Sequence, residues 1–267
     1  MSLQPSEFAK IVLIITIARI INYFKKKETL NKPQNILALF LIIALPVLLI
    51  MKQPDYGTAM VILVMSVSML FVGGIQWRYI IGVFIAAVII IPIAYHYFLP
   101  QHAKDRIEVF LNPESDPRGA GYNIIQSKLA VGSGQLWGMG LFNGNQTQLG
   151  LLPMKTTDFI FPVISEEMGF IVSSIVILLF VILLIRIVNI AKTAKDSFGG
   201  LICTGVFAMI FAHFIENVGM SMGLLPITGI PLPFISYGGS SMLTNMIAIG
   251  LVMSVACRRK HNIFLDN

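Results

Sequence analysis

Residues 152–170 read LPMKTTDFIFPVISEEMGF and set Lys155, Thr156, Thr157 and Asp158 where a long polar stretch gives way to an apolar one. A carboxylate at such a junction has two uses. It can take the proton from a hydroxyl nucleophile as a general base, or it can cap the helix that begins there, where free N–H groups and the helix dipole favour an anion. Spacing alone leaves both open, with Thr157 and Asp158 as the cap candidates. Three more sets carry chemistry. Glu7 and Lys10 are three residues apart, on one face of a helix, and can pair; an ionisable pair inside an apolar run reads as functional, against the plainer reading of a snorkelling helix end. Lys52 and Asp55 lie on either side of Pro54, with Gly57 just beyond, in MKQPDYGTA, a tight polar connection or a turn that merely ends two helices. His213 and Glu216, again three apart, can share a hydrogen bond or a proton, against ordinary polar packing between helices.

The elements that position these groups are membrane spans. Hydrophobic residues make up 56% of the 267 and charged residues 12%, with a mean hydropathy of +0.81, which indicates a polytopic membrane protein. Runs long enough to cross roughly 30 Å of hydrocarbon occur at residues 8–24, 35–51, 59–74, 79–98, 159–185, 201–225 and 234–257. The expected fold is therefore all-α, a transmembrane bundle of seven spans. Lys25, Lys26, Lys27 and Lys32 follow the first run, Arg78 the third, Arg186, Lys192 and Lys195 the fifth, and Arg258, Arg259 and Lys260 the last. Every second loop is basic, so these loops and the C-terminus are expected inside and the N-terminus outside. The net charge of +6 lies in these flanks and calls for no nucleic acid. No basic region or cleavage site frames the first run as a signal peptide. Cys203 and Cys257 suggest neither a disulfide framework nor a metal site, and no metal, dinucleotide or Walker motif occurs.

The chain reads as a single membrane domain, residues 1–267, with one long extracytoplasmic loop at 99–157. Within that loop, apolar Ile124, Ile125, Leu129 and Ala130 predict a short helix at 122–131 lying on the membrane interface. GSGQLWGMG promises flexible backbone beside Trp137, an interface anchor. In LPITGIPLPFISYGGSS, Pro231 and Pro233 break helix, and Gly238, Gly239, Ser240 and Ser241 allow the last span close approach.

In this order LQPSEFAK, MKQPDYGTA, NPESDPRGAGYNIIQSKLAVGSGQLWGMGL, the TTDFIF stretch and the LPITGIPLPFISYGGSS stretch resemble the SEDS family (shape, elongation, division and sporulation), its rod-shape branch above its division branch. The resemblance covers essentially the whole chain. It implies a peptidoglycan glycosyltransferase polymerising lipid II on the outer face of the bacterial cytoplasmic membrane, beside a class B penicillin-binding protein that cross-links the product. It also implies ten spans, three of them ahead of the QPSE motif with which this sequence starts, so the chain is expected to lack them. The family's catalytic acid falls on Asp158, the Glu and Lys of its cavity motif on Glu7 and Lys10, and the QPD acid on Asp55. Glu216 departs from the family pattern and receives no role.

In that reaction a sugar hydroxyl attacks an anomeric carbon and expels a lipid diphosphate, with inversion. Asp158 suits the base; Lys52, Lys155 and Arg118 are candidates to neutralise the diphosphate, with Thr157 beside the base. A divalent cation at the diphosphate fits the chemistry, though no ligand set identifies one. The rival classes are a flippase or transporter for the lipid-linked precursor and a non-catalytic scaffold for the transpeptidase, neither of which needs a carboxylate at position 158.

Overall fold

The computed structural model describes residues 4–79, 81–83, 85, 88, 89, 101–116 and 119–258. The regular elements among them are helices: α1 (Pro5–Lys26), α2 (Pro33–Met51), α3 (Tyr56–Gly73), α4 (Gln101–Leu111), a 3-10 turn (Pro113–Ser115), α5 (Ala120–Ser133), α6 (Asn145–Gln148), α7 (Ile160–Lys192), α8 (Ser197–Ser221) and α9 (Gly239–Cys257). Five of these, α2, α3, α7, α8 and α9, are long and apolar enough to cross a membrane. Helix α1 is 22 residues long but carries Glu7, Lys10 and Arg19. Most of the expected fourth span, residues 79–98, lies outside the described residues. The expected sixth and seventh spans are trimmed, because α8 stops at Ser221 and residues 234–238 form turns ahead of α9.

Local chemistry sets the helix ends. Pro5 and Pro33 sit in the first turns of α1 and α2, where a fixed φ helps and the missing N–H costs nothing. Asp55 Oδ1 accepts from Thr58 N at 3.0 Å and Asp196 Oδ1 from Gly199 N at 2.9 Å, capping α3 and α8.

Helix α8 is the hub, packed by α1, α3, α5, α7 and α9. Its seams are filled by Ile14, Ile17, Met65, Met69, Val206 and Met209, all fully buried. Leu41, Leu45 and Leu48 of α2 and Leu178 and Leu179 of α7 point outward instead. An apolar outer surface is what a bilayer solvates, and close packing with buried polar links must then hold the helices together. The basic loops share one end of the bundle: Gln76 N donates to Asn31 Oδ1 at 3.0 Å and the Tyr79 hydroxyl to the Asn31 carbonyl at 3.2 Å, joining the loops after α1 and α3. Asp55 and Asp158 belong to the other end.

One helix departs from the expected straight span. Helix α7 breaks at Gly169, whose φ of 77° and ψ of −176° are not helical and favour glycine. In an unbroken helix Phe170 and Ile171 would donate to the carbonyls of Glu166 and Glu167. Here those carbonyls accept from Met139 N at 2.9 Å and Gly140 N at 3.0 Å, while Phe170 N and Ile171 N donate to Gln135 O at 2.8 Å and Leu136 O at 3.3 Å. The loop thus supplies partners for these four groups, as irregular backbone within a membrane protein requires. The expected flexible glycine stretch is consequently a fixed strap, and a Cβ on Gly169 would collide with the backbone of Leu136, Trp137 and Gly138.

The break also redirects residues 160–168. At about 1.5 Å per residue, Phe170 lies ~33 Å along α7 from Lys192, and Asn217 lies ~30 Å along α8 from Ser197. Only four residues separate Lys192 from Ser197, so Phe170 and Asn217 stand at nearly one level. Asn217 holds the carbonyl of Asp158 at that same level. Residues 160–168 therefore run across the end of the bundle rather than down through it. Helix α5 belongs to this layer too. It is longer than expected and is packed rather than lying free on the interface: Ile124, Ser127 and Ala130 are buried, Leu129 is exposed, and the Ser127 hydroxyl donates to Ser221 O at 2.6 Å.

Candidate functional site

Two segments distant in sequence are stitched together to present Asp158. Tyr237 N donates to Thr156 O at 2.9 Å, the Ser236 hydroxyl to Thr157 O at 2.6 Å, and Asn217 Nδ2 to Asp158 O at 2.8 Å and Ile230 O at 2.7 Å. Three successive carbonyls are thereby fixed from α8 and from the segment between α8 and α9. The capping alternative fails on this geometry. Helix α7 begins only at Ile160, Phe159 holds the cap position, and no side chain caps it. The Thr157 hydroxyl donates to Met154 O at 3.3 Å, and the Asp158 carboxyl caps no helix.

That carboxyl is half-buried. Burial pushes it above the usual aspartate range, with the Thr157 hydroxyl pulling partly the other way. A carboxyl so raised is a stronger proton acceptor than one in water. Gly229 stands beside it: a Cβ there would lie in ordinary contact, 3.4 Å from Asp158 Oδ2, and its φ of 72° is a left-handed conformation that favours glycine.

Gly229 also lines a pocket of ≈ 230 Å³, whose walls include Glu7, Asp55, Thr58, Arg106 and His213. The predicted Glu7–Lys10 pair is present behind this wall as a salt bridge of 2.7 Å, both residues buried. Asp55 caps α3 and also lines the pocket.

Other expected roles move. Lys155 Nζ donates to Thr147 O at 2.7 Å and so secures α6 rather than facing the pocket. Lys52 is exposed at the end of α2 and is absent from the pocket wall. Arg118 lies outside the described residues. His213 does not pair with Glu216; its Nε2 meets Lys10 Nζ at 2.8 Å and its Nδ1 meets Met209 O at 2.8 Å. Among the described residues no three His, Cys, Asp or Glu side chains gather in a group that could hold a metal ion.

Sequence reasoning overlooked four residues. Arg106 of α4 reaches the pocket although its own neighbourhood is an ordinary amphipathic helix. Asn217, a polar residue inside a span, turns its buried amide to two carbonyls. Glu166 accepts from Gln146 N at 2.7 Å and Thr147 N at 3.0 Å, and Glu167 from Gln148 Nε2 at 2.9 Å. Two adjacent acids in an apolar run were the available signal for that pair.

Against known proteins, residues 1–261 match the model of the family FTSW_RODA_SPOVE, described as cell cycle protein. The chain is 41% identical over 258 residues to the peptidoglycan glycosyltransferase MrdB of Escherichia coli (strain K12), covering 96% of this chain and 69% of MrdB. Its fold resembles a chain of a peptidoglycan synthase complex that coordinates polymerization and crosslinking, with a TM-score of 0.78, 28% identity, and coverage of 98% of this chain and 72% of that one. It also resembles the rod shape determining protein RodA of Thermus thermophilus, with a TM-score of 0.65, 25% identity, and coverage of 98% and 68%. The chain is a multi-pass bacterial membrane protein, and it belongs to the FtsW, RodA and SpoVE cell cycle family, the SEDS family that its motifs resemble.

Proposed function

We propose that Asp158 is the general base of a glycan polymerase. The protein is a peptidoglycan glycosyltransferase that polymerises lipid II into glycan strands in cell elongation and shape maintenance, as its relatives' names support. One observation carries the assignment of the base: the Asp158 carboxyl, released from capping, is half-buried beside Gly229 at the edge of a polar pocket. A sugar hydroxyl seated there gives its proton to Asp158 as its oxygen bonds to the anomeric carbon of the donor. The bond from that carbon to the diphosphate breaks on the opposite face, and the centre inverts. Diphosphate is a good leaving group and needs positive charge rather than a proton. Arg106, on the pocket wall, is better placed to supply it than Lys155 or Lys52. On this reading the basic loops at the far end face the cytoplasm and the pocket opens on the outer face of the cytoplasmic membrane, as the positive-inside rule supports. A class B penicillin-binding protein is the proposed partner.

The test is glycan chain formation from lipid II by the purified protein with its partner. Asp158→Asn keeps the size and the Asn217 bond, which uses the backbone, but cannot accept the proton. Turnover should fall by at least about 100-fold with folded yield retained. Turnover near wild type would remove Asp158 from the mechanism, and a flippase, which makes no bond, would show no glycan in either protein.

A further inference from the structure

The mechanism above leaves His213 unused, although it is 2% exposed at the pocket wall. Its geometry fixes its chemistry. The Met209 carbonyl can only accept, so the 2.8 Å contact places the proton on Nδ1. The lone pair is then on Nε2, where Lys10 Nζ lies 2.8 Å away with N–H groups to donate. Lys10 also donates to Glu7 Oε1 at 2.7 Å. Lys10 thus donates both ways, to Glu7 and to His213, and His213 donates on to Met209, so the linked set crosses from α1 to α8. Lys10 is wholly buried, whereas its two partners line the pocket. In this arrangement Lys10 does not meet substrate; it ties together two groups that do face the pocket.

Resting on the glycosyltransferase reading above, we propose that His213 is a positioning residue: its Nε2 lone pair holds the Lys10 ammonium so that the Glu7 carboxylate stays on the pocket wall. Without that lone pair an N–H of Lys10 is left unbonded in a dry site, which is costly. Among the described residues the other carboxylates within electrostatic reach of Lys10 are Asp55 and Glu216, and Glu216 Oε2 is buried there with no hydrogen-bond partner. Lys10 would turn toward one of them and draw away from Glu7. A histidine that merely filled space would need only its bond to Met209, and any apolar side chain of similar size would replace it.

The experiment uses four variants, His213→Leu, His213→Gln, Lys10→Met and the double His213→Leu/Lys10→Met, each assayed for lipid II polymerisation and for thermal unfolding in detergent. Glutamine keeps an acceptor for Lys10 and a donor for Met209. We expect His213→Leu to lower turnover by about tenfold or more and His213→Gln to recover most of it. In the Lys10→Met background His213→Leu should cost less than about twofold, since it acts through a residue already gone. Unfolding temperatures should likewise be non-additive across the cycle. Wild-type turnover in His213→Leu, equal loss in Leu and Gln, a full tenfold loss on top of Lys10→Met, or additive unfolding shifts would each overturn the proposal. The unfolding cycle needs no turnover, so it reads the His213–Lys10 link even in a preparation that makes no glycan; that result would count against the glycosyltransferase reading alone.

Discussion

The side-chain amide of Asn217 spends both its hydrogens on carbonyls of two different segments, Asp158 at 2.8 Å and Ile230 at 2.7 Å. Asn217 is fully buried, so no water replaces it. Asn217→Leu strands both carbonyls, at about 1–3 kcal/mol each, and frees the backbone that aims the base. The expected outcome is a lower unfolding temperature together with lower glycan turnover. Asn217→Asp should fare no better, because a carboxylate offers those carbonyls nothing to accept. An Asp variant with normal turnover contradicts this account.

Asp158 makes stability depend on pH in a stated direction. Burial raises its carboxyl above the usual range, so the folded chain holds that proton more tightly than the unfolded chain. The stabilisation is full below the unfolded value of about 3.9 and is lost as pH rises through the raised folded value. At neutral pH the ionised carboxylate is therefore a cost. Asp158→Asn should unfold at a higher temperature than wild type at pH 7, with the gap closing on acidification. A gap that widens at low pH would refute the raised value. Wild-type turnover should fail on the acid side at a higher pH than an ordinary aspartate base would allow.

Removing either member of the Glu7–Lys10 pair should not be equivalent. When Glu7 is lost, Lys10 keeps only the neutral His213 imidazole in a wholly buried site, whereas Glu7 lines the pocket when Lys10 is lost. An uncompensated buried charge costs on the order of 3–5 kcal/mol in a dry site and less in a wet one. Glu7→Ala is expected to lower folded yield more than Lys10→Ala. The charge swap should recover little, since a carboxylate at position 10 would face the His213 lone pair. Equal yields from the two single variants would contradict this account.

Gly169→Ala should be among the most damaging small substitutions in the chain. The residue sits at φ 77° and its Cβ would overlap the backbone of the facing loop. Strain of this kind costs on the order of 1–3 kcal/mol before any clash is counted. Loss of folded protein, followed by size-exclusion chromatography in detergent, is the expected result; a normal yield would mean the break is dispensable.

What the sequence made legible was local. Apolar runs announced the spans because lipid demands them, and Glu7 and Lys10 announced themselves because helical spacing places them on one face. The fate of Asp158 was not local. A capping rule sees polar residues ahead of an apolar run, whereas the start of α7 is delayed to Ile160 while Ser236 and Tyr237, some eighty residues on, hold Thr156 and Thr157. His213 and Lys10 are 203 residues apart, beyond any periodic pattern, so the nearer Glu216 looked the better partner. In α5 the buried stripe includes Ser127 and leaves Leu129 out, because a hydroxyl that meets a carbonyl packs where an apolar count would not put it.

The break at Gly169 makes a beam of residues 160–168. One end carries Asp158, two residues before the helix starts; the other is bolted to the loop through the carbonyls of Glu166 and Glu167 and, by the Glu166 side chain, to α6. Trp137 and Phe142 project from that loop, 80% and 78% exposed. The hydrogen bonds of that loop thus connect this exposed apolar pair to the segment that carries Asp158 without passing through the helices that stand in the lipid.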